Sequence, residues 1–223
     1  MLKALLLALV AATAQAQVAP TPSELAAYTG LFGAAAKGDA ATIARLASSG
    51  AKVDARDGNG RTPLHVAAFM KQRDAMKALV DAGADPNALD ADRYDAVTIA
   101  AVADDPATME AALKLGNRPT NVTSRYDGTA LIAAAHLGHV EVVRMLIKAG
   151  APLDHVNNLG WTALIESIVL GDGGARHTAT LTALVEAGAN VNIADRQGLS
   201  PLHLAEARGY REMAEILKGA GAR

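Results

Sequence analysis

The sequence predicts an all-α solenoid of about six helix-turn-helix units joined by extended β-turn loops. Three observations point to it. The pair Gly-Ala recurs at Gly50-Ala51, Gly83-Ala84, Gly150-Ala151, Gly188-Ala189 and Gly221-Ala222, with Gly116-Asn117 filling the gap, at intervals of 33, 33, 34, 38 and 33 residues. Such a period signals stacked supersecondary units that cannot bury their apolar faces alone. A residue able to cap a helix holds one fixed slot in every unit: Thr29, Thr62, Asp95, Thr129, Thr162 and Ser200. Two positions on, the residues are all aliphatic: Leu31, Leu64, Val97, Leu131, Leu164 and Leu202, the buried face of a first helix.

Taken in order, residues 1–16 read as a secretory signal peptide. A short positive start at Lys3 precedes the apolar stretch from Ala4 to Ala12, and Ala14-Gln15-Ala16 is a small-x-small cleavage pattern. Residues 17–22 read as a linker. The repeat domain then runs over 23–223, in units of about 23–56, 57–89, 90–122, 123–156, 157–194 and 195–223. Within a unit, the cap opens the first helix, and Pro63 and Pro201 follow it at the first helical position. A second helix, clearest from Val140 to Ile147, ends at the recurring glycine, where a left-handed cap is wanted. Hydrophobic residues make up 51% of the chain and aromatics 3%, so the core must be aliphatic. There is no cysteine, which leaves stacking to supply stability and removes thiol chemistry. A formal charge of −2 gives no electrostatic case for nucleic acid or an anionic membrane.

Gly60-x-Thr62-Pro63-Leu64-His65-x-Ala67-Ala68 and Ser200-Pro201-Leu202-His203-Leu204-Ala205 resemble the ankyrin repeat, and the resemblance covers about Ser23 to Arg223. It implies that His65 and His203 make structural hydrogen bonds within their repeats. It also implies that turn tips and first-helix ends form a concave binding face. Departures from the pattern mark irregular units. The third has Arg93 for glycine and Asp95-Ala96-Val97-Thr98 for Thr-Pro-Leu-His, so it is expected to be the least stable locally. The fifth carries five extra residues, and 171–177 is expected to be a flexible loop between its helices.

No nucleophile elbow, phosphate loop or zinc-protease helix motif is present. His136 and His139 stand three apart, but one pair does not make a metal site. No catalytic residue, metal or cofactor is therefore expected. Aromatic placement is more informative. Tyr94 and Trp161 share one turn position, just before the cap, where other units carry Arg61, Gly128 and Leu199; Tyr126 lies beside it, and Phe69 ends a first helix. These positions vary while the core slots do not, and aromatics and arginine dominate interface energetics. The residues expected to contact a partner are Arg61, Phe69, Met70, Tyr94, Arg125, Tyr126, His136, Leu137, Trp161 and Leu170. Trp161 is expected to be dispensable for folding. The resulting expectation is a monomeric, non-enzymatic, exported module, periplasmic or secreted, that binds another protein and not nucleic acid or a membrane. A narrower form is a dedicated inhibitor, immunity or assistance protein for one exported enzyme; a different class is an envelope scaffold.

Overall fold

The computed structural model describes residues 17–223. The leader expectation, 1–16, falls outside them. Thirteen helices occur among the described residues. A short α1 (Pro22–Ala27) precedes six pairs: α2 (Gly30–Lys37) with α3 (Ala40–Ser48), α4 (Pro63–Phe69) with α5 (Arg73–Asp81), and α6 (Ala96–Val102) with α7 (Pro106–Lys114). The second half repeats the scheme: α8 (Ala130–Leu137) with α9 (Val140–Lys148), α10 (Ala163–Val169) with α11 (Ala175–Glu186), and α12 (Pro201–Ala207) with α13 (Arg211–Gly219). First helices pack on first helices and second on second down the stack. One continuous core results, in which Leu64, Val97, Leu131 and Leu164 line up with Ile43, Leu79, Met109, Leu146 and Leu184 of the second helices.

The caps behave as the slot requires in five units. The side chains of Thr62, Asp95, Thr129, Thr162 and Ser200 each accept the N–H three residues on, while Thr29 makes no such bond. The recurring glycines take φ between +85° and +96°, the left-handed region that favours glycine. This reversal lets the next N–H turn back into the helix, as from Ala84 to the Leu79 carbonyl at 3.0 Å. His65 does what the resemblance implies and more. Its Nδ1 accepts from Thr62 N–H at 3.0 Å, and its Nε2 donates to the Tyr94 carbonyl of the next unit at 2.9 Å. His203 keeps only the local contact, 2.9 Å to the Ser200 hydroxyl.

Two expectations about irregular segments are corrected. The segment between α10 and α11 is short, 170–174, because Ala175 to His177 already belong to α11. It is also closely packed. A Cβ on Gly171 would sit 2.1 Å from the Ser167 carbonyl oxygen, and one on Gly173 would sit 2.4 Å from the Tyr210 ring. Tyr210 donates to the Gly171 carbonyl at 3.0 Å, and His177 Nδ1 lies 2.9 Å from Asp172. The glycines there answer a need for clearance. The stretch 17–21 is likewise no loose linker, since the Val18 carbonyl accepts from Arg61 at 3.0 Å.

The third unit replaces the missing motif with a buried polar network. Asp95 accepts from Thr98 N–H at 2.8 Å and its hydroxyl at 2.7 Å. Asn117 donates to Asp95 at 2.9 Å and accepts from Val97 N–H at 2.7 Å. The Gly-Ala pair becomes Gly-Asn here because the asparagine amide reaches back to the cap of its own unit. That network offsets part of the local weakness expected from the sequence.

Candidate protein-binding face

Four of the turns between units are closed the same way. An Asp or Asn donates its backbone N–H to the carbonyl four residues on, and its side chain accepts that residue's N–H. The pairs are Asp57 with Arg61, Asp90 with Tyr94, Asn157 with Trp161 and Asp195 with Leu199, with side-chain bonds of 2.8 to 3.0 Å. The fourth unit, one residue longer, uses a bridge between Thr123 and Gly128 instead. Adjacent tips are also tied by backbone bonds: Ala91 N–H to Asn59 O at 3.1 Å, Ser124 to Arg93 at 2.9 Å and Asn158 to Tyr126 at 2.8 Å. This row, with the ends of the first helices, forms the candidate face.

Most of the expected contact residues have surface on it. Arg125 is exposed and pairs with Asp92 at 2.8 Å. Tyr94, Tyr126 and Trp161 are half-buried at the tips. Phe69, Met70, His136, Leu137 and Leu170 are half-buried at or just past first-helix ends. Trp161 differs from expectation in packing against the core as well, so its removal must cost stability.

Arg61 does not belong to the face. It is fully buried (0% exposed) and its guanidinium holds Asp57 at 2.7 Å, Glu24 at 2.5 Å and the Val18 carbonyl. The reason lies in α1. Among the described residues α1 precedes the first pair, and this N-terminal stretch folds over the tip of the second unit, with Arg61 the residue it closes on. Burial works against an ionised Asp57, yet bonds from the Tyr28 hydroxyl and Arg61 keep its carboxyl below the usual range. Burial, and then the bond to Asp57, pushes the Tyr28 hydroxyl upward.

The sequence reading also missed Glu166 on α10. Its slot carries Val66, Ile99, Ala133 and Leu204 in other units. The Glu166 side chain is 5% exposed; Oε1 accepts from Asn157 Nδ2 at 2.9 Å, while Oε2 has no hydrogen bond and lies 3.4 Å from His136 Nδ1. Burial pushes its carboxyl up to about 7. Burial, then His177 and His139, push His136 down. A charged residue in an otherwise apolar slot was the available signal. Among the described residues no group of three or more His, Cys, Asp or Glu side chains could hold a metal, and no helix is long and apolar enough to cross a membrane.

Comparison with known proteins decides the family. Residues 2–90 and 97–195 match the family model Ankyrin repeats (3 copies), and 174–217 match Ankyrin repeats (many copies). The chain belongs to the ankyrin repeat family. The first match begins inside the stretch read as a leader. The ankyrin repeat protein YahD of Escherichia coli K12 is 33% identical over 190 residues, covering 85% of this chain and 94% of YahD. Other curated relatives are longer, and the chain spans 38% of one and 16% of another. An ankyrin repeat domain from Acinetobacter baumannii AYE is 44% identical with a TM-score of 0.80, covering 86% of this chain and 98% of that one. A chain in the complex of the Bdellovibrio bacteriovorus predatory endopeptidase Bd0816 with immunity protein Bd3460 has a TM-score of 0.70, covering 86% of this chain and 98% of that one. At 22% identity it shows the fold alone. The ankyrin fold is generally a non-catalytic interaction scaffold, and these repeats form a module suited to binding protein.

Proposed function

We propose that this protein acts outside the cytoplasm as a monomeric binding module that docks one protein partner on the row of turn tips and first-helix ends. The observation that carries the docking surface is the placement of Tyr94, Tyr126, Trp161, Phe69 and Leu170, large side chains left partly exposed while the core slots between them are filled. Aromatic anchors of this kind hold most of the energy of typical interfaces. The tips are already bonded to each other, so little ordering is required on binding. Support for export is the charged, apolar, small-x-small order of residues 1–16.

The test is site-specific photo-crosslinking in the native host, from a probe at Tyr126 and another at Lys77 on the outward side of α5. A partner caught from Tyr126 and not from Lys77 is the expected result; the reverse would refute the docking face. N-terminal sequencing of the same protein should begin at Gln17, and an intact Met1 would refute export. Whether the captured partner is an exported enzyme decides between a general adaptor and a dedicated inhibitor, immunity or assistance protein.

A further inference from the structure

Three departures from this chain's own repeat pattern meet at one point of the face. Asn157 stands where three other turns have Asp57, Asp90 and Asp195; Glu166 stands in an apolar slot; and His136 stands where other units have Phe69, Val102, Val169 and Ala207. The asparagine amide both accepts from Trp161 N–H, at 3.0 Å, and donates to Glu166, at 2.9 Å, which the ionised aspartate of the other turns could not do. What remains is one buried carboxyl oxygen with no partner, 3.4 Å from an imidazole nitrogen. The two atoms are close enough to exchange a proton, and no other group lies between them as a hydrogen-bond partner of Oε2. The His136 side chain is 27% exposed, so the ring keeps surface on the face.

We propose that Glu166 and His136 share one proton, whose position sets whether His136 offers a hydrogen-bond donor or an acceptor to a partner on this face. The second half rests on the docking reading above. In the protonated state Glu166 Oε2–H donates to His136 Nδ1, which leaves Nε2–H as a donor toward the partner. As pH rises, the proton on Nε2 leaves to solvent and the shared proton passes from Oε2 to Nδ1. The carboxylate then accepts from Nδ1–H, and Nε2 presents a lone pair. One proton is lost and no other bond changes. Below the transition the site fits a partner carboxylate or carbonyl; above it, a partner N–H or O–H.

The surroundings favour this single-proton exchange over a charged pair. Burial disfavours both the ionised carboxylate and the imidazolium. Around His136, His177 Nε2 contacts the His136 carbonyl at 3.0 Å while its Nδ1 pairs with Asp172, and His139 Nδ1 donates to the Ala101 carbonyl at 2.8 Å. Arg176 reaches Asp104 at 3.4 Å, and Asp104 lies 3.9 Å from His139. From α12, Arg208 is bound to the Val169 carbonyl and Glu206 pairs with Lys218. The neighbouring carboxylates are thus engaged elsewhere, and the nearby histidines oppose a second proton on His136.

The experiment follows the His136 ring nitrogens and the Glu166 carboxyl carbon by NMR on the isotopically labelled protein from pH 5.5 to 8.5. The expected result is a change from the Nε2–H to the Nδ1–H tautomer, in step with a Glu166 midpoint near 7. In Glu166→Gln, checked for an intact amide spectrum, the change should vanish. One tautomer throughout, or Glu166 titrating in the ordinary carboxylate range, would overturn the shared proton. With the crosslinked partner in hand, affinity should differ at least threefold between pH 6 and 8 and be flat for Glu166→Gln. Equal wild-type affinities would overturn the contact at His136. The crosslinking at Tyr126 reads the docking face by itself, so the two ideas fail separately.

Discussion

Replacing Arg61 with methionine tests the account of the N-terminal stretch. Methionine keeps most of the volume and removes the charge. The guanidinium loses contacts to Asp57, Glu24 and the Val18 carbonyl. Breaking a buried ion pair from one side costs about 3 to 5 kcal/mol, since the other charge is left behind. Asp57 is not wholly stranded, because it keeps the Tyr28 hydroxyl at 2.5 Å and two backbone N–H bonds at 2.9 Å. Glu24 is one-third exposed, so water replaces much of what it loses. The loss should therefore sit near the lower limit, about 3 kcal/mol. Because stacked repeats unfold piecewise, the assay is amide exchange over α1 and α2 together with urea unfolding. Sign matters too. Asp57 is depressed, so its contribution is present above the ordinary Asp range and lost as pH falls through its folded value. The gap between wild type and Arg61→Met should narrow on acidification. A cost below about 1 kcal/mol, or one equal at acid and neutral pH, would show that Arg61 is a filler and not the clasp.

Other substitutions separate the remaining roles. Asn117→Ala should cost about 2 kcal/mol and speed exchange across the third unit, by stranding the Val97 N–H and leaving Asp95 Oδ2 with Asn121 as its remaining donor; unchanged exchange would mean the network is ornamental. Thr162→Ala should cost about 1 kcal/mol in urea unfolding through its lost cap, and no measurable change would contradict the cap's role. Trp161→Ala should lose about 2 kcal/mol of stability and also weaken partner binding tenfold or more, whereas Trp161→Phe should recover most of the stability; unaltered affinity would remove Trp161 from the face. Glu166 is raised, so its stabilising share is full below its unfolded value of 4.5 and is lost as pH rises through about 7. That span corresponds to about 3 kcal/mol, and Glu166→Gln should flatten urea stability between pH 5 and 8. An unaltered pH profile would place the carboxyl in water.

Much of the fold was legible because repeats report on themselves. Each Gly-Ala pair, each cap and each aliphatic slot could be checked against five others, and His65 announced its role through its neighbours Thr62 and Pro63. What escaped depended on contacts between units. Arg61 looks like a surface residue until Glu24 and Val18, some forty positions away, close over it. The five extra residues looked like a mobile loop because Gly171 and Gly173 permit many conformations; only Tyr210 and His177, packed against them, show why glycine is required. The turn-closing Asp57, Asp90, Asn157 and Asp195 stood in register all along, five before each cap, but without a picture of the turn their oxygen had no visible donor. Glu166 was passed over for the same reason: its meaning lies in Asn157 and His136.

The bonds that tie one turn tip to the next make the face behave as a single stiff edge. A partner meeting it does not select among independently moving fingers, so fit at one tip constrains fit at the others. Substitutions at neighbouring tips should then combine unevenly, since displacing Tyr126 also shifts the carbonyl that holds Asn158, and with it the turn carrying Trp161. Specificity in such an arrangement is written in the spacing between tips as much as in the side chains upon them, and a change of one residue in a turn's length, as between Thr123 and Gly128, alters which partners can span it.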